Sequence, residues 1–409
     1  MTMSLPKIAI IIGAPEQRLH PVPPVADGAP EWNIFRLAEA AQGLDVRVIS
    51  PCELGQLTAI RSFSARRSYE HVILSDHFLR FYRRILCHIW PLRLVVRRFA
   101  KLPNLLSLMY LRRVTRWLAA LQPDLVFINN HPQYIRYLRP HVAKGRLLLF
   151  VRGEMGESSR HLPLLDGIVV NSPGIGEYVH ELLGGTPMPV DLLHNSLGDE
   201  FAVPPAPADR FFRAAKRIVF AGRIIAEKGV LELLEAFELV HRRLPGVTLA
   251  IYGAGENDKR SGPLTAYEEK VRARAAQFPA GAVVLPVWVP SREMGAHYVN
   301  ADLAVFPSVW KESFGMVALE AMRCGAPVVA SPRPGFEELV EPNVTGILVD
   351  PTDTPVLADA MLRILTDPAL AQRMGEAGRE RSMLYAPSAA AGRFAQIVSS
   401  HLERRNDGR

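Results

Sequence analysis

The chain has 409 residues, 48% of them hydrophobic, with a net charge of +7 and three cysteines. That length exceeds one ordinary domain of roughly 100–200 residues, so two domains are expected. Cys52, Cys87 and Cys324 are too few and too widely spaced for a disulfide framework, and they lack the Cys-x-x-Cys pairs and partnering histidines of a zinc site, which fits a reducing cytoplasm.

The first predicted element is a buried strand at residues 7–12, an apolar run too short for the hydrophobic part of a secretion signal. A second strand is predicted at 45–49. Between Asp76 and Asp124 no acidic residue occurs, whereas Arg80, Arg83, Arg84, Arg93, Arg97, Arg98, Lys101, Arg112, Arg113 and Arg116 fall there, interleaved with Phe78, Phe81, Tyr82, Trp90 and Trp117. Basic amphipathic helices with aromatic residues suit an anionic lipid interface. The segment from Arg80 to Arg116 is therefore read as a contact for an anionic membrane surface, against two plainer readings, solvated helices or a nucleic-acid patch. No stretch reaches the ~18 uncharged apolar residues of a bilayer span. The location expected is cytoplasmic, peripheral on the inner face of the cytoplasmic membrane.

Strands at 125–129, 147–151 and 167–171 continue the first series. After the proline-rich stretch "VPPAPAD" at 203–209, a second series runs through 217–220, 247–252, 282–284, 303–306, 327–330 and 346–349. Continuous apolar strands separated by amphipathic stretches mean parallel sheets covered on both faces. The fold class is α/β, with domains at 1–203 and 213–385 joined by a linker at 204–212.

In such sheets ligands bind beyond the carboxyl ends of the strands. After the strand at 217–220 stand Gly222, Arg223, Lys228 and Gly229, followed by an amphipathic run from Val230 to Arg243. Two cations beside a helix start make an anion cradle, although a basic loop before a helix is also common in chains that bind nothing. The next strand ends in "YGAG", a glycine turn around Gly253 that suits a flat base or ribose. It lacks the third glycine and the downstream acid of the dinucleotide fingerprint. The stretch "KESFGMVALE" places Glu312 before Gly315, Met316 and Val317, whose amides open a helix running to about Arg323, and sets Glu320 among apolar neighbours. A buried carboxylate needs hydrogen-bond donors, either vicinal ribose hydroxyls or an internal arginine.

"FAGRIIAEKGVLELLEAF", "IYGAG", "YVNADLAVFPS", "ESFGMVALEAMRCGAPVVAS", "GFEELV" and "TGILVDPTD" follow one another from Arg217 to Asp353. In that order they resemble the retaining glycosyltransferases of family four, with their Glu-x7-Glu element. The resemblance implies the GT-B architecture, two Rossmann-like domains facing a cleft, with a C-terminal helix in 386–409 packing back on the first domain. It implies that Arg223 and Lys228 hold the donor diphosphate, that Glu320 binds the ribose, and that Glu312 contacts the transferred sugar beside the amides of Phe314 to Val317. His131 in "NNHP" matches the histidine that such enzymes place at the sugar. Three positions depart from the family: only Gly28 stands in "DGAPEWN" where paired glycines are usual, Asn195-Ser196 replaces Asn-Gly, and Pro334-Gly335 replaces a glycine pair, leaving Glu338 as the counterpart of the family's glutamate.

The function expected is transfer of a hexose from a nucleoside diphosphate sugar to an acceptor hydroxyl with retention. The expected acceptor is a saccharide or a lipid-linked molecule in surface polysaccharide or lipopolysaccharide assembly. No Asp-x-Asp sequence occurs, so no cofactor or metal is expected, and nucleic acid is not an expected partner. A nucleotide-sugar 2-epimerase, a glycan phosphorylase and an inactive nucleotide-sugar-binding scaffold are the alternatives.

Overall fold

The computed structural model describes residues 5–13, 22, 29–53, 56, 68–74, 105–142, 144–199, 201, 203–253, 264–285 and 289–406. Gly28 and most of the arginine-rich stretch, residues 75–104, lie outside the described residues. The chain divides into two compact units. Unit 1 comprises Met1–Asn171, Ile175–Ser196 and Pro387–Arg409, and unit 2 comprises Ser172–Gly174 and Leu197–Ala386.

In chain order unit 1 contains β1 (Lys7–Ile11), α1 (Ala29–Ala40), β2 (Asp45–Glu53), β3 (Ser68–Leu74), α2 (Leu105–Leu121), β4 (Leu125–Asn129), α3 (Ile135–Leu138), β5 (Arg146–Val151) and β6 (Gly167–Val170); α4 (Pro173–Leu183) and β7 (Val190–Leu192) follow. The strands form one parallel sheet in the order β3-β2-β1-β4-β5-β6-β7. Alternate side chains of a strand face opposite sides. Val126 and Ile128 of β4 accordingly pack with Tyr110, Val114 and Leu118 of α2, while Leu125 and Phe127 pack with Ile34 and Leu37 of α1.

Unit 2 contains β8 (Arg217–Ala221), α5 (Val230–Arg243), β9 (Thr248–Tyr252), α6 (Ala266–Ala275), β10 (Val283–Val284), α7 (Gly295–Tyr298), β11 (Leu303–Phe306), α8 (Met316–Arg323), β12 (Val328–Ala330), α9 (Pro334–Leu339), β13 (Gly346–Leu348), α10 (Thr354–Leu365) and α11 (Pro368–Ser382). Its parallel sheet runs β10-β9-β8-β11-β12-β13. Ile218 and Phe220 of β8 meet Leu233 and Phe237 of α5; Val219 and Ala221 face the other side with Phe306, Phe314 and Leu319. Two parallel sheets, each with helices on both faces, are the α/β arrangement that the apolar runs predict.

The last helix, α12 (Pro387–Asn406), belongs to unit 1. Phe394 lies against Phe127 with ring centroids 5.3 Å apart. Fully buried His401 pairs with Asp191 at 2.9 Å, and Arg405 pairs with Asp124 at 2.6 Å. Arg210, within the segment expected as a linker, is buried in unit 2. Its guanidinium donates to the carbonyls of Ala301 (2.6 Å), Cys324 (2.9 Å), Gly325 (3.2 Å) and Tyr298, and so holds the C-terminal ends of α7 and α8. Among the described residues no helix is long and apolar enough to cross a membrane.

Candidate functional site

In unit 2 the chain leaves β8 at Gly222, whose amide donates to the Tyr252 carbonyl at 3.0 Å. Gly253 passes so close that a Cβ there would sit 1.9 Å from the Gly222 carbonyl oxygen. The stretch after β8 makes a short 3-10 turn over Ala226–Lys228 and enters α5 through Gly229, in left-handed geometry at φ 66° and ψ 32°. A side chain at Gly229 would meet the Pro307 carbonyl oxygen at 1.8 Å, so two independent constraints select glycine there. This contact brings the loop carrying Lys228 against the loop after β11.

That second loop is fixed from both sides. Val309 donates its amide to the Glu227 carbonyl at 3.0 Å. Arg333 donates to the carbonyls of Ser308 and Val309, each at 3.2 Å, and Gly335 donates its amide to the Glu312 carbonyl at 2.9 Å. With its backbone held this way, Glu312 forms a short ion pair with Lys228, and both side chains are half-buried. Two of the residues assigned to the donor, one cation and one carboxylate, are therefore in direct contact. Arg223 is exposed, and no hydrogen bond or ion pair engages it among the described residues.

Phe314 is buried and Gly315 caps α8 at φ 89° and ψ 45°. A Cβ at Gly315 would strike the Phe336 ring at 2.7 Å. The amides of Met316 and Val317 in the first helical turn have no partner four residues back, which leaves them available to an anion. Glu320 is 5% exposed, and Ser291 Oγ donates to its Oε1 at 2.6 Å. A serine, unremarked in "VPSREM", thus supplies one of the donors that the buried carboxylate requires. Nearby, His297 Nδ1 lies 2.8 Å from the Tyr252 hydroxyl. Burial, aided by Arg217, lowers the His297 pKa.

His131 lies in unit 1, where it precedes a 3-10 turn over Pro132–Tyr134. It is half-buried, its ring centroid is 5.5 Å from that of Tyr134, and its Nδ1 is 3.3 Å from Gln133 Nε2. Asn130, just before it, adopts the left-handed φ of 56°, uncommon outside glycine and better tolerated by asparagine. Arg152 follows β5 and donates its Nε–H to Asn129 Oδ1 at 3.1 Å and an Nη1–H to Asn195 Oδ1. Burial brings its pKa down to about 10, with Glu31 opposing the fall. Sequence reasoning missed Arg152, since a single arginine after a strand carries no spacing signal.

Residues 208–381 match the family model described as glycosyl transferases group 1. A glycogen synthase of Mycobacterium tuberculosis is 32% identical over 216 residues, which are 53% of this chain and 49% of that protein. A GDP-mannose-dependent alpha-(1-6)-phosphatidylinositol monomannoside mannosyltransferase of Mycolicibacterium smegmatis is 32% identical over 196 residues, 46% of this chain and 49% of that protein. The chain spans about half the length of these curated relatives. Among solved structures, Anabaena HepE in complex with UDP-glucose aligns over 96% of this chain and 99% of its own, with a TM-score of 0.69 and 16% identity; that likeness concerns the fold, which is GT-B. The matched segment, residues 208–381, carries Lys228, Glu312 and Glu320, and there this chain is similar to the glycosyl transferases group 1.

Proposed function

We propose that this chain transfers a hexose from a nucleoside diphosphate sugar to an acceptor hydroxyl and retains the anomeric configuration. The observation that carries the reading is the Lys228–Glu312 ion pair, set between the glycine-lined turn after β8 and the open amides of α8, with Glu320 one helical stretch further on. As the glycosidic bond breaks, the leaving diphosphate gains negative charge. Lys228, Arg223 and the amides of Phe314 to Val317 stabilise that charge in the transition state; losing one such donor typically costs roughly 10²–10³ in rate. Glu312 orients sugar hydroxyls and Glu320 the ribose diol, and His131 is the histidine assigned to the sugar. Arg223 and Lys228 do the work that a bridging metal does elsewhere, and the reaction needs no cofactor.

The HepE complex and the name of the mycolicibacterial relative make UDP-glucose and GDP-mannose the first donors to try. That relative's phosphatidylinositol mannoside substrate supports a lipid-linked acceptor, as do exposed Arg112, Arg113 and Arg116 on α2, none of them ion-paired among the described residues. The setting proposed is surface polysaccharide or lipopolysaccharide assembly at the inner face of the cytoplasmic membrane. Calorimetric titration with UDP-glucose and GDP-mannose, followed by turnover assays, tests the site. Glu320→Ala weakens donor binding and Arg223→Ala lowers turnover by roughly 10²-fold; unchanged affinity and turnover in both variants sink the assignment, and release of free epimerised sugar nucleotide replaces it with an epimerase.

A further inference from the structure

The carboxyl ends of β4, β5, β6 and β7 lie side by side in unit 1, with Asn129 opposite Phe150 and Val151 opposite Val170. Just beyond them stand Asn130, Arg152 and Asn195, at the edge where open parallel sheets bind ligands. Arg152 is fixed on several sides. Its backbone N–H donates to Asn130 Oδ1 at 3.3 Å, two guanidinium N–H groups go to the side-chain oxygens of Asn129 and Asn195, and its Cζ lies 5.3 Å from the Phe150 ring centroid. Both guanidinium partners are neutral amides. No carboxylate is in contact with the group, and Nη2 has no partner among the described residues. A half-buried guanidinium with its planar fork already oriented, bonded to neutral amides and with the Glu31 carboxylate acting on it only without an ion-pair contact, has the properties of a receptor for a two-oxygen anion.

We propose that Arg152, held between Asn129 and Asn195, is an anion site that takes a phosphate or carboxylate group carried by the acceptor. The acceptor role rests on the transferase reading; the anion site does not. Asn130 in its left-handed conformation keeps the cradle beside His131, so an acceptor anchored by its anion is held in unit 1 next to the histidine assigned to the sugar.

The test is calorimetric titration of the whole chain with inorganic phosphate at low ionic strength. Arg152→Gln removes the charge. Asn195→Asp is nearly isosteric and sets a carboxylate against the same guanidinium, so it preserves packing while neutralising the site. Both variants are expected to lose phosphate affinity by roughly tenfold or more, whereas Lys228→Met removes any phosphate held by the donor clamp and leaves this site occupied. Phosphate binding that persists in Asn195→Asp, or that disappears in Lys228→Met alone, overturns the proposal. Acetate that displaces phosphate from the wild type assigns a carboxylate-bearing acceptor; acetate that fails to do so assigns a phosphate. A wild type that binds phosphate through Arg152 yet binds no nucleoside diphosphate sugar sinks the transferase reading and leaves the anion site standing.

Discussion

Glu320 shows how a single residue can carry a functional argument. A carboxylate at 5% exposure is stable only with donors, and the hydroxyl of Ser291 is one of them. With one oxygen engaged by Ser291, the carboxylate is oriented before any ribose arrives. Ser291→Ala is expected to weaken UDP-glucose binding by about tenfold, the worth of one hydrogen bond to a charged group, with Ser291→Thr restoring most of it. Calorimetric donor affinity for the three forms checks this, and equal affinities exclude the orienting role. The anomaly of Glu320 was legible in the sequence because polarity breaks an apolar helical pattern. Ser291 and Arg152 were not, because they act through partners 29 residues away for Ser291 and 43 residues away for the Arg152–Asn195 contact, and spacing that long leaves no local trace.

At the scale of elements, the central strands were readable, as were the edge strands β10 and β13 of unit 2, but the edge strands of unit 1 were not. β4 and β11 match their apolar runs from end to end, since both faces of each are covered. β3 and β7 lie at the two edges of the unit 1 sheet; with one side unpaired they need no continuous apolar run, and "SYEHVIL" and "VDL" show none. The start of α8 follows from Gly315, whose left-handed backbone and contact with Phe336 together reject any side chain. Gly315→Ala is expected to destabilise unit 2 by about 1–3 kcal/mol, whereas Gly246→Ala, with open space around its Cβ position, stays within about 0.5 kcal/mol. Denaturant titrations of the two variants separate local strain from a general intolerance of alanine; equal losses would refute the role given to Gly315.

Across the whole molecule, pH acts through both units together. Burial lowers the pKa values of His71 in unit 1 and His297 in unit 2 below their ordinary 6.5, and Arg217 adds to the effect at His297. Each is favoured neutral in the folded chain and accepts a proton more readily when unfolded. Their contribution to stability is complete above about pH 6.5 and declines as the pH falls below it. Melting temperatures should fall between pH 7 and pH 5.5, and the fall should be shallower in a His71→Gln/His297→Gln double variant; parallel curves would rule these two residues out as its source. Unit 2 is nearly continuous in sequence, whereas unit 1 needs α12, whose Phe394, Ile397 and His401 complete its core and pin Asp191. During synthesis, unit 2 can therefore reach its final packing while unit 1 still exposes the apolar face of Phe127 and Phe150 that α12 covers. The half of the chain that leaves the ribosome first is therefore the last to be finished.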